Sequence, residues 1–130
     1  SLYLKIAPDL TWTQVDEVIE VVQKTQIDGL ILSNTTIARS NLLSKNQTEK
    51  GGLSGRPVTQ RSTDLIAYVR ERLKAPFALI GVGGIFTPQD AQAKINAGAN
   101  LVQVYTGLVY EGPDMVKRIK KHLVIAKKKP

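Results

Sequence analysis

The sequence predicts an α/β fold: parallel (β/α) units that form the C-terminal half of a (β/α)8 TIM barrel. Three observations predict it. Apolar runs of strand length alternate four times with stretches of helical periodicity along 130 residues. That length suits one compact domain and falls well short of the roughly 250 residues of a whole barrel. The polar signals gather at the C-terminal end of each apolar run: Lys5, Ser33-Asn34-Thr35, Gly83-Gly84 and Tyr105-Thr106-Gly107. Barrels of this kind carry their sites on that face. A four-stranded doubly wound sheet is the competing architecture, and the placement of the polar signals decides against it.

Each element has its own signal. Residues 2–7 are apolar around Lys5 and read as a strand buried on both faces, ended by Pro8-Asp9. Thr11 and Gln14 fit a capping box, after which Val15, Val18, Ile19 and Val22 recur at helical spacing. Residues 27–33 are a second strand, apolar except at Asp28. Residues 34–61 show no periodicity and contain Gly51-Gly52-Leu53-Ser54-Gly55. A loop of that length inside a compact domain points to function. The conformation of residues 36–50 stays open, and in an incomplete barrel mobility is expected there. Leu65, Ile66, Val69 and Leu73 mark the next helix, and residues 77–82 a third strand running into Gly83-Gly84. Thr87, Pro88 and Asp90 supply an N-cap, an N1 proline and a capping acid, and Gly98 suits the end of that helix. Residues 101–105 are the fourth strand. Thr106 opens a short turn to Pro113 and a last helix, whose Met115, Val116, Ile119 and Leu123 share one face.

Composition excludes several kinds of chemistry. Without cysteine there are no disulfides, thiolate zinc sites or cysteine nucleophiles, and a single histidine, His122, precludes a multi-histidine metal site within the chain. No metal is expected. No apolar run reaches membrane-spanning length, and no signal peptide opens the chain. The chain begins within a strand, which suggests a fragment, while its lysine-rich end reads as a natural terminus. The net charge of +7 is local. Residues 117–130 hold seven lysines and arginines and no acid, and without them the remaining eleven basic residues balance eleven acidic ones. This reads as a solvated helix face and tail, with attraction to acidic lipid or nucleic acid as lesser alternatives. With so few aromatic residues and none interleaved with basic ones, no nucleic-acid partner is expected.

Gly83-Gly84 after the third strand and Thr106-Gly107 after the fourth together point to a phosphate-bearing ligand. Glycine lets backbone approach an anion, and barrels commonly bind phosphate at the loops after their last two strands. Lys5 is either a lysine reaching past a strand end or a charge aimed into the barrel mouth. Asn34 and Thr35 either form a turn or offer donors and acceptors to a planar polar substrate. Ser54 is either turn chemistry or a ligand contact. Gly52-Leu53-Ser54-Gly55 lacks the spacing of a hydrolase nucleophile elbow. His122 reads as a surface histidine and Trp12 as packing. No general base announces itself.

Five ordered segments carry a resemblance: Leu4-Lys5-Ile6-Ala7-Pro8-Asp9-Leu10, Ser33-Asn34-Thr35-Thr36, Gly51-Gly52-Leu53-Ser54-Gly55-Arg56-Pro57, Ile80-Gly81-Val82-Gly83-Gly84-Ile85 and Leu101-Val102-Gln103-Val104-Tyr105-Thr106. The chain resembles, over essentially its whole length, the C-terminal half of class 2, quinone-dependent dihydroorotate dehydrogenases. That resemblance implies an FMN-containing barrel that oxidises dihydroorotate to orotate in pyrimidine biosynthesis. It implies FMN contacts at Lys5, Ser33, Ser54 and Gly55, a phosphate held by Gly84, Tyr105 and Thr106 with Gly83 beside them in the cofactor site, and substrate hydrogen bonds from Asn34 and Thr35. A cation such as Lys5 would stabilise the anionic reduced flavin.

The resemblance also implies what is missing. The family's catalytic serine base, its other substrate residues and its membrane-docking, quinone-tunnel helices belong to the N-terminal half. No catalytic base is therefore expected in this chain, and the isolated chain is expected to be inactive. Peripheral attachment to a membrane, bacterial cytoplasmic or mitochondrial inner, would come through the absent segment. A half barrel leaves open edges, so pairing with the missing half or self-association is expected. Two other readings remain: an RNA-modifying flavoprotein like the dihydrouridine synthases, and a non-catalytic phosphate- or flavin-binding half-barrel module.

Overall fold

Four parallel strands form one sheet in strict chain order: β1 (Tyr3–Ile6), β2 (Gly29–Leu32), β3 (Ala78–Val82) and β4 (Leu101–Gln103). The computed structural model describes residues 1–127; Lys128 and Lys129 of the basic tail lie outside the described residues. The helices are α1 (Trp12–Lys24), α2 (Thr59–Arg72), α3 (Pro88–Asn96), α4 (Thr106–Glu111) and α5 (Asp114–Lys127), with a single 3-10 turn, Arg56–Val58, leading into α2.

Strand register settles the architecture. Leu4, Leu30 and Leu79 share a row, as do Ile6, Leu32 and Gly81. Leu30, Leu32 and Leu79 are fully buried against Val15, Ile19 and Val22 of α1 and Leu65, Ile66 and Val69 of α2. Lys94 of α3 lies against Gly81, and Val102 packs on the cluster of Ile85, Ala91, Met115 and Ile119. All of these contacts fall on one face. The other face carries the row Lys5, Ile31, Ile80 and Leu101, none of it fully buried. A doubly wound sheet covers both faces and reverses strand order at a switch point. Sequential order with one-sided helices is the arrangement of consecutive units of a (β/α)8 barrel, whose strand interior faces inward.

The same register corrects the reading of β1 as buried on both faces. Lys5 is exposed and Leu4 is 37% exposed, because β1 is an edge strand. β4 is the opposite edge, with Leu101 60% exposed. The turn expected after Thr106 is instead the six-residue helix α4, which ends at Gly112 with φ 74°. On α5, Met115 and Ile119 are buried, whereas Val116 is 40% exposed at the open side of β4.

Local signals set the helix starts. Thr11 accepts from the Gln14 amide at 3.3 Å, and the Gln14 side chain accepts from the Thr11 amide at 2.9 Å. Thr87 accepts from the Asp90 amide at 3.1 Å, and Asp90 accepts from the amides of Phe86 and Thr87 at 2.9 Å each. Burial pushes the Asp90 carboxyl upward; the hydrogen bonds to Phe86 and Thr87 and the Arg56 charge outweigh it, so its pKa falls below the ordinary value. This stabilisation is present above about pH 4, the unfolded carboxylate range, and is lost as pH falls through the lower folded value. Removing the cap as Thr87→Ala should cost about 1 kcal/mol, read from urea unfolding at neutral pH. An unchanged midpoint would show that α3 is held by packing alone.

Candidate functional site

The C-terminal strand ends converge on a cavity of about 270 Å³. It is lined by Lys5 of β1, by Ser33, Asn34 and Thr35 after β2, and by Ser54 and Gly55 of the long loop. Gly83 and Gly84 after β3, and Tyr105 and Thr106 after β4, also line it. All ten residues singled out in the sequence thus border one space.

Backbone bonds beyond the strands fix these ends. The Ser33 amide donates to the Val82 carbonyl at 2.9 Å, and the Asn34 amide donates to the Ile6 carbonyl at 2.8 Å. The chain leaving β2 therefore stays tied to both neighbouring strands. Ser33 is buried, with 2% of its surface exposed. Asn34 and Thr35 are exposed, and the Thr35 amide donates to the Asn34 side chain at 2.9 Å. Behind the wall, the buried Ser62 hydroxyl donates to the Val82 carbonyl at 2.6 Å and lies 3.2 Å from the Leu32 carbonyl. It satisfies carbonyls where the strands stop pairing with each other.

The long loop has a scaffold of its own. Thr36 and Leu53 exchange two backbone bonds of 2.9 and 2.8 Å. The Thr36 hydroxyl donates to Asp9, and the Ile37 amide reaches the same carboxylate at 3.2 Å. Arg39 donates to the carbonyls of Thr36, Glu49 and Gly51. These bonds deliver Ser54 and Gly55 to the cavity, where the Thr106 hydroxyl donates to the Ser54 hydroxyl at 2.9 Å. The glycine-rich segment is thereby latched to the end of β4.

Two glycines shape the floor. Gly83 has φ 116° and Gly84 φ 69°, a region that side chains other than glycine rarely adopt. A Cβ on Gly84 would fall 1.8 Å from the Thr59 hydroxyl oxygen, which itself donates to the Gly84 carbonyl at 3.2 Å. Side chains at both positions are excluded by Val58, Thr59 and Ser62 packed behind the turn.

Gln103 and Thr59 were not singled out in the sequence, and Gly107 was read only as part of the turn after the fourth strand. Gln103 lines the cavity from β4 and is exposed. A polar residue in an apolar strand could have marked it. Gly107 also lines the cavity, and a Cβ there would lie 1.9 Å from the Ile85 carbonyl oxygen. Thr59 is read only from its bond to Gly84. His122 is not among the lining residues. Trp12 stacks on Tyr68 at 4.3 Å between ring centroids, with the Arg61 guanidinium 4.0 Å from its own centroid, so its role is packing on the outer surface. A larger cavity, about 610 Å³, lies along the open side of β4 between α3 and α5. Its walls are mainly apolar, including Leu101, Val102, Val116 and Val124.

Comparison with known proteins agrees with this geometry. A profile of the family described as dihydroorotate dehydrogenase matches residues 1–126. The dihydroorotate dehydrogenase (quinone) of Christiangramia forsetii is 52% identical over 123 residues, which are 95% of this chain and 36% of that protein. The protein of the same name from Thermosynechococcus vestitus is 45% identical over 133 residues, 96% of this chain and 36% of that protein. The crystal structure of ligand-free DHODH from Eimeria tenella superposes with a TM-score of 0.91 at 42% identity, covering 98% of this chain and 36% of that one. The ferulenol complex of the Eimeria tenella protein gives 0.90 over 96% of this chain and 34% of that one. The chain thus spans about a third of the length of the relatives it matches. Sheet order, one-sided helices, site placement and sequence identity agree: the chain belongs to the dihydroorotate dehydrogenase family.

Proposed function

We propose that this chain forms the FMN-binding part of a quinone-dependent dihydroorotate dehydrogenase, with Gly83, Gly84, Tyr105 and Thr106 at the phosphate. The observation that carries the reading is the convergence of all ten candidate residues on one cavity floored by two glycines of positive φ. The donor set fits such a ligand. Backbone without side chains serves the phosphate end, while Lys5, Ser33 and Ser54 offer polar contacts along the ring. When bound, FMN would supply the hydride acceptor for the oxidation of dihydroorotate to orotate.

The chain's own residues bind and orient. Lys5, on the uncovered face of β1, places a positive charge that favours an electron-rich ring edge. Asn34 and Thr35 are exposed at the mouth, where their side chains can pair with the carboxylate and ring amides of dihydroorotate. The ionisable residues of the lining are Lys5 and Tyr105. The proton acceptor for substrate oxidation is assigned to a part of the enzyme outside this chain. The isolated chain is expected not to turn over dihydroorotate; normal quinone reduction by it would overturn that assignment.

The open edges of β1 and β4 and the uncovered face between them support completion of the barrel by further strands. The quinone is assigned to the whole enzyme on the names of the relatives, and a membrane-peripheral location is proposed for it because quinone acceptors are lipid-soluble. No helix among the described residues is long and apolar enough to cross a membrane.

Titration of the chain with FMN, followed in the visible absorption band, tests the binding assignment. A shifted band saturating near one FMN per chain is the expected result. An unshifted band would mean that the site does not exist without the completing strands.

A further inference from the structure

We propose that Lys94, buried between α2 and α3, is a positioning residue for the anion-binding turn Gly83-Gly84, holding Thr59 from behind so that Thr59 holds Gly84. This rests on the phosphate assignment above. The side chain of Lys94 is completely buried. Its ammonium donates to the Thr59 carbonyl at 2.7 Å and to the Thr63 hydroxyl at 2.8 Å. Thr59 is the first residue of α2, and its own hydroxyl donates to the Gly84 carbonyl at 3.2 Å. With no space for a side chain between Thr59 and Gly84, a shift of Thr59 moves the turn. Two links in series, Lys94 to Thr59 and Thr59 to Gly84, therefore run from α3 to the floor of the cavity.

Packing alone does not explain a lysine here. The Thr59 carbonyl already accepts from the Thr63 hydroxyl at 3.0 Å. An apolar chain of similar length would fill the space beside Gly81, where a Cβ would lie 3.1 Å from the Lys94 Cβ. What lysine adds is a charge, placed behind a turn whose other side faces the proposed phosphate. The acids that act on it are Asp90 of its own helix and Asp64 of α2. Asp90 also pairs with Arg56 at 3.2 Å. Burial lowers the Lys94 pKa and the two acids raise it; burial dominates, bringing it to about 8. At neutral pH the site therefore has a positive charge behind it, and above pH 8 that charge is progressively lost.

The experiment compares FMN with riboflavin, which lacks the phosphate, on the 130-residue chain. The isoalloxazine ring is common to both, so its own ionisation cancels in the ratio of affinities. Lys94→Met is expected to weaken FMN binding by roughly tenfold while leaving riboflavin within about twofold. In the unsubstituted chain the preference for FMN should fall as pH rises through about 8, and in Lys94→Met it should be flat. Thr59→Val, which cuts the next link, should also reduce the preference and serves if Lys94→Met does not fold. Retention of the full FMN preference by both variants would overturn the proposal. If the unsubstituted chain shows no preference, the phosphate assignment fails instead, and a ligand-free readout decides on Lys94. The Gly84 amide resonance should titrate with a midpoint near 8 and lose that titration in Lys94→Met. A Gly84 amide indifferent to pH in this range would overturn the positioning role.

Discussion

Gly107→Ala is expected to lower stability by about 2–3 kcal/mol and the melting temperature by roughly 10 °C, and to weaken FMN binding at least about tenfold. The reason is a contact between backbones. A Cβ at Gly107 would lie 1.9 Å from the Ile85 carbonyl oxygen and 3.0 Å from the Met115 methyl. A flexible side chain could rotate away; a carbonyl that follows Gly83-Gly84 cannot move without displacing that turn. Ile85 and Met115 are both buried in the smaller core cluster, which gives little room for relaxation. The methyl must therefore separate the loop after β3 from the start of α4, the two segments assigned to the phosphate. Stability and binding should fall together. Gly112→Ala provides the control. Gly112 has φ 74°, but a Cβ there would meet no atom within 4 Å, so only the conformational penalty of about 1 kcal/mol applies. Its FMN affinity should be unchanged. Calorimetry and the flavin titration together check both variants. A Gly107→Ala chain with ordinary melting and ordinary FMN binding would show that the two loops are not mechanically joined.

The contrast between these glycines bears on what the sequence could reveal. Glycine at 83 and 84 was readable as a ligand turn because it follows an apolar strand. Gly107 was readable with Thr106 as part of the same ligand signal, but its packing constraint was not, because that constraint is the carbonyl of a residue 22 positions earlier. Capping boxes at Thr11 and Thr87 were legible because all their partners lie within three residues. The scaffold of residues 36–53 was not. Its anchors are Asp9, 27 residues from Thr36, and the backbone carbonyls taken by Arg39, and neither has a sequence pattern. The edge character of β1 was also hidden, since an apolar run reads alike whether or not a neighbour covers it. Lys94 was the most deceptive position. In Gln89-Asp90-Ala91-Gln92-Ala93-Lys94 it looks like a solvent-facing lysine, yet the absent side chain of Gly81 leaves the space it occupies.

Lys94→Met is expected to be more stable than the unsubstituted chain at pH 7, by about 1–3 kcal/mol, and equal to it by about pH 10. The sign follows from linkage. An unfolded lysine titrates near 10.4, whereas folding lowers Lys94 to about 8. Below pH 8 both states are protonated and the folded chain carries the full cost of a buried ammonium, on the order of 3 kcal/mol relative to the neutral amine. Between pH 8 and about 10.4 the unfolded chain binds more protons, so stability rises with pH at this residue until the cost has gone. Methionine fills similar volume without charge, and the Thr59 carbonyl keeps the Thr63 hydroxyl at 3.0 Å, so no buried acceptor is orphaned. Urea unfolding of both chains at the two pH values measures the difference. A Met variant less stable at both would mean that the ammonium's bonds to Thr59 and Thr63 outweigh its burial. The expected result has a sharper consequence when set beside ligand binding. A substitution that stabilises the fold and at the same time removes the preference for FMN over riboflavin separates the two roles of one residue. The lysine would then be explained by the anion it faces through Thr59 and Gly84, since the fold alone is better served without it.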